Sequence, residues 1–218
     1  MSVTNKKSDN TILALDCSSG KSGVTILNNY GIVVFCCEIN LIYRSIKKKK
    51  TPHLEIKDFT NSEDGILIRK DSLIDTIGEQ FTFEDKAQIL AAYLSILIKK
   101  YDVSRLIIED YAYYKSTGKL IDLVEMTALM KYIVKSKNPP LDWIRIGPGV
   151  IKSFFTGSHV CSKDDLQAAI ELKHGRYFKS YDVVDSFSLA LLAFKLGDNI
   201  EKCVVGGILR SNYKKYID

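Results

Sequence analysis

The chain has 218 residues, 46% hydrophobic and 26% charged, an ordinary soluble composition long enough to enclose one sizeable core, so a single domain over residues 1–218 is expected. No apolar run approaches the roughly 18 residues of a membrane-spanning helix, and the opening MSVTNKKSDN is polar with no signal-type apolar stretch behind it, so a cytoplasmic chain is expected. Formal net charge is +5; residues 111–163 alone hold eight Lys or Arg against three Asp or Glu, so the basic excess is regional and points to one face suited to a polyanion.

In chain order, TILALDCSS reads as a buried strand, and SGVTILNNYGIVVFCCEINLIY as two more joined by a tight Asn-Asn-Tyr-Gly turn. These three make an antiparallel meander. Residues 44–78 mix a lysine run, Lys47 to Lys50, with short apolar patches and turn residues, and read as an insertion of hairpin type. From Phe81 the period becomes helical, with Ile89, Leu90, Tyr93, Leu94, Leu97 and Ile98 on one stripe. SRLIIED is a short buried strand ending on acids.

TGKLIDLVEMTALMKYIVK is a helix whose apolar positions cover two sides: Leu120, Val124 and Met130 on one, Ile121, Ala128 and Tyr132 on the other. Such breadth suits a helix with two neighbours, a second subunit included. NPPLDWIRIGP supplies a fifth strand, GVIKSFF a short helix, SKDDLQAAIELKHG a helix capped by Ser162 and stopped at Gly175, and DVVDSFSLALLAFKLG the last clear helix before a short tail, 197–218. The expected fold class is α/β: a mixed five-stranded sheet, three antiparallel strands then two parallel, with helices on both faces.

Two expected strands end on acids, Asp16 in the first and Glu109 with Asp110 in the fourth, and sites in open α/β sheets form where strands end. Asp182 and Asp185, three residues apart on a helix, share a face and can project toward that edge. Asp16, Glu109, Asp182 and Asp185 together make an all-oxygen set that suits Mg²⁺ or Mn²⁺ rather than zinc. Taken singly, Asp182 reads at least as well as a helix cap, whereas Asp185 falls within an apolar helix start, where an unpaired carboxylate is costly. The five cysteines are odd in number and show no C-x-x-C spacing, which argues for reduced, mostly buried thiols.

The order ILALDCSS, LIIEDYAYYKSTGKL, IGPGVIKSFFTGSHVCSKDDL, DVVDSFSLAL resembles the RuvC-type Holliday junction resolvases of bacteria and phages, within the ribonuclease H-like superfamily. The resemblance runs from Thr11 to about Leu196 and omits 44–78. It departs from the family at Cys17-Ser18-Ser19, where Pro-Gly is frequent, and at His159, where glycine is common. It implies a ribonuclease H-like sheet and a crossover junction endodeoxyribonuclease, metal-dependent and selective for branched DNA, acting in recombination, repair or phage DNA processing.

Asp16, Glu109, Asp182 and Asp185 match the family's metal ligands, implying two Mg²⁺ per site, with Mn²⁺ as a substitute, roughly 3.5 to 4 Å apart across the scissile phosphate, and products with 5′-phosphate and 3′-hydroxyl ends. Lys163 matches a lysine that offsets transition-state charge and Lys152 one that contacts the DNA backbone. Tyr111, Tyr113, Tyr114, Lys115 and Lys119 form an aromatic and basic stretch suited to unpaired bases and phosphates, and the family places an aromatic at the junction centre. The family also implies a homodimer through the helix at about 117–136, which fits a substrate with two equivalent strands to cut. Nucleoid association, or the host cytoplasm for a phage protein, follows as an expectation; neither a membrane nor a nucleotide cofactor is expected. LALDCSSGKSGVTIL also resembles the first phosphate loop of actin-like ATPases, sugar kinases and tRNA-modification subunits, but that reading has no use for Glu109, Asp182 or Asp185, and 218 residues is short for two lobes. A junction-binding protein without catalysis is the third reading.

Overall fold

The computed structural model describes residues 11–18, 20–46, 49–63, 65–69, 82–111, 117–205 and 208–216. Its centre is a seven-stranded mixed sheet: β1 (Thr11–Asp16), β2 (Lys21–Leu27), β3 (Val33–Ile46), β4 (Lys49–Asp58), β5 (Ile66–Arg69), β6 (Val103–Glu109) and β7 (Asp142–Ile146), in the spatial order β5-β4-β3-β2-β1-β6-β7. From β5 to β1 every pairing is antiparallel; β6 and β7 continue from β1 in parallel.

The fold class is the expected α/β one, but five strands was an undercount. Within the described part of the 44–78 stretch, β3 runs on to Ile46, β4 returns along it as a hairpin, and β5 adds to β4, lengthening the meander from three strands to five; residues 70–78 lie outside the described residues. In β4 Leu54 and Ile56 are buried at the alternate positions a sheet demands. Of the lysine run, Lys49 and Lys50 begin β4, while Lys47 and Lys48 lie outside the described residues.

Strand alternation divides the side chains between two layers. Leu13, Leu15, Val24, Ile26, Leu106 and Ile108 face α1 (Phe83–Tyr101) and α2 (Thr117–Lys137). Ile12, Ala14, Cys36, Ile107 and Ile146 face α3 (Pro148–Thr156), α4 (Lys163–His174) and α5 (Tyr181–Leu196). Helix α1 begins at a capping box of Thr82 and Asp85, and its six expected stripe residues are all buried. On α2, Met126, Met130 and Val134 enter the core. Val124, expected on Met130's side, instead faces outward with Ile121, Ala128 and Tyr132. Helix α5 is buried from Val183 through Ala193, which explains its nearly unbroken apolar sequence.

Two backbone approaches fix α5 on the sheet. Gly31, in the β2–β3 turn, has φ +75°, and a Cβ there would meet the Phe194 ring at 2.6 Å. Gly23 on β2 lies so close to the first turn of α5 that a Cβ would sit 1.8 Å from the Asp182 carbonyl oxygen. Residues 200–203 then form α6 (Ile200–Cys203), followed by a small hairpin, β8 (Val204–Val205) with β9 (Ile208–Leu209), and Tyr213 packs 5.5 Å from Phe154 of α3. No helix among the described residues is long and apolar enough to cross a membrane. All five cysteines are free thiols, with Cys36, Cys37 and Cys203 buried.

Candidate active site

Strand parity determines where the first two acids point. Ile12 and Ala14 face the α5 layer, so Asp16, two residues further along, faces it too; Ile107 assigns Glu109 to the same side. Because β1 and β6 are parallel neighbours with Leu15 opposite Ile108, the two carboxylates stand side by side where the strands end. Helix α5 crosses this edge and brings Asp185, 8% exposed, to meet them. Asp16, Glu109 and Asp185 each offer an oxygen within 4.8 Å of the others, the one cluster among the described residues whose donors could hold a metal ion. They line a cleft of about 530 Å³ together with Asp182, Lys163, Lys152, His159, Tyr111 and Pro148.

The electrostatics follow from crowding. Burial pushes the Asp16 carboxyl up to about 6, with Asp185 and Asp182 adding to the rise while a hydrogen bond from Glu109 opposes it. Glu109 is pushed well above the usual carboxylate range, by burial first and then by the Asp16 charge beside it. Crowding of the two buried acids thus favours a proton held in the hydrogen bond between Glu109 and Asp16. A divalent cation relieves the same crowding, and three carboxylates make a hard oxygen donor set, so the site fits Mg²⁺ or Mn²⁺.

Lys163 supplies the local positive charge. Its Nζ donates to Asp185 Oδ2 at 2.7 Å. Burial pulls its pKa down, but the hydrogen bond to Asp185 and the charges of Asp185, Asp16 and Asp182 outweigh that, and the net shift is upward. Ser162 and Asp165 form the capping box that starts α4, which places Lys163 at the first helical residue. A cation there opposes the helix dipole, and the facing carboxylates offset this. The Tyr181 ring lies 5.7 Å from the Lys163 ammonium, and its hydroxyl donates to Asp164.

Asp182 lines the cleft but stands outside the three-carboxylate cluster. Its pKa is raised by burial, with Glu38 and Asp185 adding to the rise against Lys163. It is not the helix cap: Ser180 is, its hydroxyl accepting from Val183 N–H at 3.4 Å, because the chain is still extended at 180 and already helical at 182. Lys152 reaches the cleft from α3, where Nζ donates to the Cys161 carbonyl at 2.7 Å and ties down the loop carrying His159.

Tyr111 sits beneath the Arg145 guanidinium, 5.6 Å from ring centre, and Arg145 also donates to Asp110 at 3.2 Å. Tyr113, Tyr114 and Lys115 lie outside the described residues, and Lys119 falls in the first turn of α2. Arg145 and Tyr181 escaped sequence reading. Arg145 had one usable signal, a cation at the end of a strand next to Gly-Pro; Tyr181 had none beyond adjacency to Asp182.

No protein-family model matches the chain, and no curated protein matches it by sequence. Similarity appears among solved structures. The structure of RuvC from Thermus thermophilus is similar with a TM-score of 0.53 at 10% identity, covering 84% of this chain and 93% of that one. RuvC of T. thermophilus in complex with a Holliday junction substrate gives 0.52 at 9% identity with the same coverage. The yeast mitochondrial Holliday junction resolvase aligns more loosely, at a TM-score of 0.45 and 13% identity, over 84% of this chain and 78% of that one. At such identities the likeness is one of fold, and the fold is the ribonuclease H-like mixed sheet with helices on both faces.

Proposed function

We propose that the chain is a metal-dependent, structure-selective endodeoxyribonuclease that cuts Holliday junctions and other branched DNA, leaving 5′-phosphate and 3′-hydroxyl ends. The observation that carries this reading is the meeting of Asp16, Glu109 and Asp185 at the end of the parallel strands, with Lys163 bonded to Asp185. The fold shared with RuvC, one of whose structures holds a Holliday junction substrate, supports the choice of substrate.

In this reading Asp16, Glu109 and Asp185 hold the metal, with Asp182 as the fourth acid at the rim. Two Mg²⁺ ions bound there supply Lewis-acid polarisation of the phosphoryl oxygen and a water nucleophile active at neutral pH. Lys163 presents its ammonium, bonded to Asp185, where negative charge grows on the phosphoryl group. Lys152 lines the cleft and attracts the DNA backbone, with Tyr111 as its aromatic wall and Arg145 stacked behind that ring. A homodimer is part of the proposal: Ile121, Val124, Ala128 and Tyr132 form an outward stripe on α2 beside a groove of about 260 Å³ lined by Leu141 and Trp143, a face a second copy would cover.

The test is a labelled panel of four-way junction, fork, flap, linear duplex and RNA–DNA hybrid, incubated with Mg²⁺ or EDTA. Mg²⁺-dependent nicks at symmetric positions of the junction, religatable by ligase, are expected. Junction binding without cutting in either Mg²⁺ or Mn²⁺ would defeat the proposal. Within it, Asp182→Asn is expected to keep more cleavage than Asp185→Asn, since Asp185 both belongs to the cluster and anchors Lys163. Equal losses in single-turnover rates would remove that distinction.

A further inference from the structure

A fifth carboxylate stands behind the site. Glu38, on β3, is 9% exposed, and a lone charge so buried is costly unless it is bonded. It is bonded twice: Ser180 Oγ donates to its Oε2 at 2.6 Å, and Lys21 Nζ lies 3.3 Å from its Oε1. Ser180 caps α5, and a hydroxyl has one proton. Giving that proton to Glu38 turns the oxygen lone pairs toward Val183 N–H, which is the orientation a cap needs.

The Glu38–Ser180 bond is the first of three contacts along one face of the β2–β3 pair. Glu38 lies opposite Gly23 in the sheet, and Gly23 touches the Asp182 backbone. Two residues along, Thr25 lies opposite Cys36 and its hydroxyl bonds Ser186 at 3.0 Å. Residues 180, 182 and 186 of the helix segment are thereby each matched to a fixed sheet position. A slip of one residue would rotate the helix by about 100° and carry Asp185 away from Asp16 and Glu109.

We infer that Glu38 is a positioning residue: through Ser180 it sets the register of α5 and so the placement of Asp182 and Asp185 against the sheet carboxylates. The inference rests on the metal-site reading above and extends it to a residue outside the carboxylate cluster.

The test compares the full chain with Glu38→Ala, Glu38→Gln, Ser180→Ala and the Glu38→Ala/Ser180→Ala double variant. Two readouts are taken without DNA: Mn²⁺ titration, and amide hydrogen exchange at Val183 and Val184 in the metal-free protein. Glu38→Ala should weaken Mn²⁺ binding by about 10- to 100-fold, the usual loss when a group orienting metal ligands is removed, and should speed exchange at both amides. Glu38→Gln, whose amide oxygen still accepts from Ser180, should recover most of the loss. Ser180→Ala should match Glu38→Ala, and the double variant should be no worse than the worse single, since both cut one chain of contacts. If Glu38→Ala does not fold, the Ser180→Ala and Glu38→Gln comparison decides. A lowered melting temperature with a wild-type Mn²⁺ titration, or additive losses in the double variant, overturns the inference. A wild-type chain that binds Mn²⁺ but cuts no DNA sinks the nuclease reading and leaves this one to the titration; one that binds no Mn²⁺ sinks both.

Discussion

Asp16→Asn is expected to abolish cleavage while stabilising the metal-free protein. A bound metal supplies several kcal/mol to the reaction, so loss of a ligand should cost about a thousandfold or more in rate. Stability moves the other way. The Asp16 carboxyl has an ordinary value of 3.8 and is held up to about 6 in the folded chain. As pH rises through that window the unfolded chain releases its proton before the folded one does, so folded-state stability is fully present below it and declines up to about pH 6. The shift of about two units corresponds to a loss on the order of 3 kcal/mol above the window.

Asparagine carries no charge and escapes this loss. In EDTA at pH 7.5 the variant should therefore melt higher than wild type, and at pH 4 the two should nearly coincide. Mg²⁺ should raise the wild-type melting temperature at pH 7.5 and leave the variant unmoved. An Asn variant less stable than wild type at pH 7.5 in EDTA would contradict the crowding argument.

Gly23→Ala is expected to be the most damaging single-methyl change in the sheet. The added carbon would lie 1.8 Å from the Asp182 carbonyl oxygen, 2.4 Å from its carbonyl carbon and 3.0 Å from Ser186 Oγ. Two of the three atoms are backbone, so no side-chain rotation relieves the clash, and helix or strand must shift. A cost of about 3 kcal/mol or more is expected, at or above the upper end for overpacking. Mn²⁺ affinity should collapse with it, because the shift separates Asp185 from Asp16. Gly20→Ala is the control: nothing lies within 4 Å of the new carbon, and a change within about 0.5 kcal/mol is expected. Denaturant titrations of the two variants check both values; a Gly23→Ala protein with wild-type stability would show that α5 is not held where the structure has it.

Much of this was readable in the chain, and the exceptions have physical causes. The apolar strands β1, β2 and β6 and the helices α1, α4 and α5 declare themselves through period and caps, and strands ending on Asp16 and Glu109 mark the site edge. Strand β4 did not, because Pro52 and a lysine run obscure the alternation of Leu54 and Ile56. Among the described residues β5 pairs with β4 at Glu55 to Asp58 and does not reach Pro52, the position on that strand that cannot donate to a ladder. Val124 faces outward against expectation because a helix with apolar residues on two sides shows no single stripe from which to count. Glu38 was passed over because one acid within FCCEIN reads as an outward position; only the pairing of β3 with β2, and the crossing of α5 over both, reveals that it points inward.

The carboxylate cluster has two kinds of mounting. Asp16 and Glu109 are carried by neighbouring strands whose spacing, about 4.8 Å, is set by backbone hydrogen bonds and is nearly the same in every protein with such a sheet. Asp185 rides on a helix held by side-chain contacts and by the close approach at Gly23, each of which mutation can alter singly. The site thus works like a vice with one jaw cast into the frame and the other on a slide. Changes in which ion it grips, or how tightly, can arise from substitutions along the underside of α5 and on β2 and β3, behind the cleft, while the acids themselves stay the same.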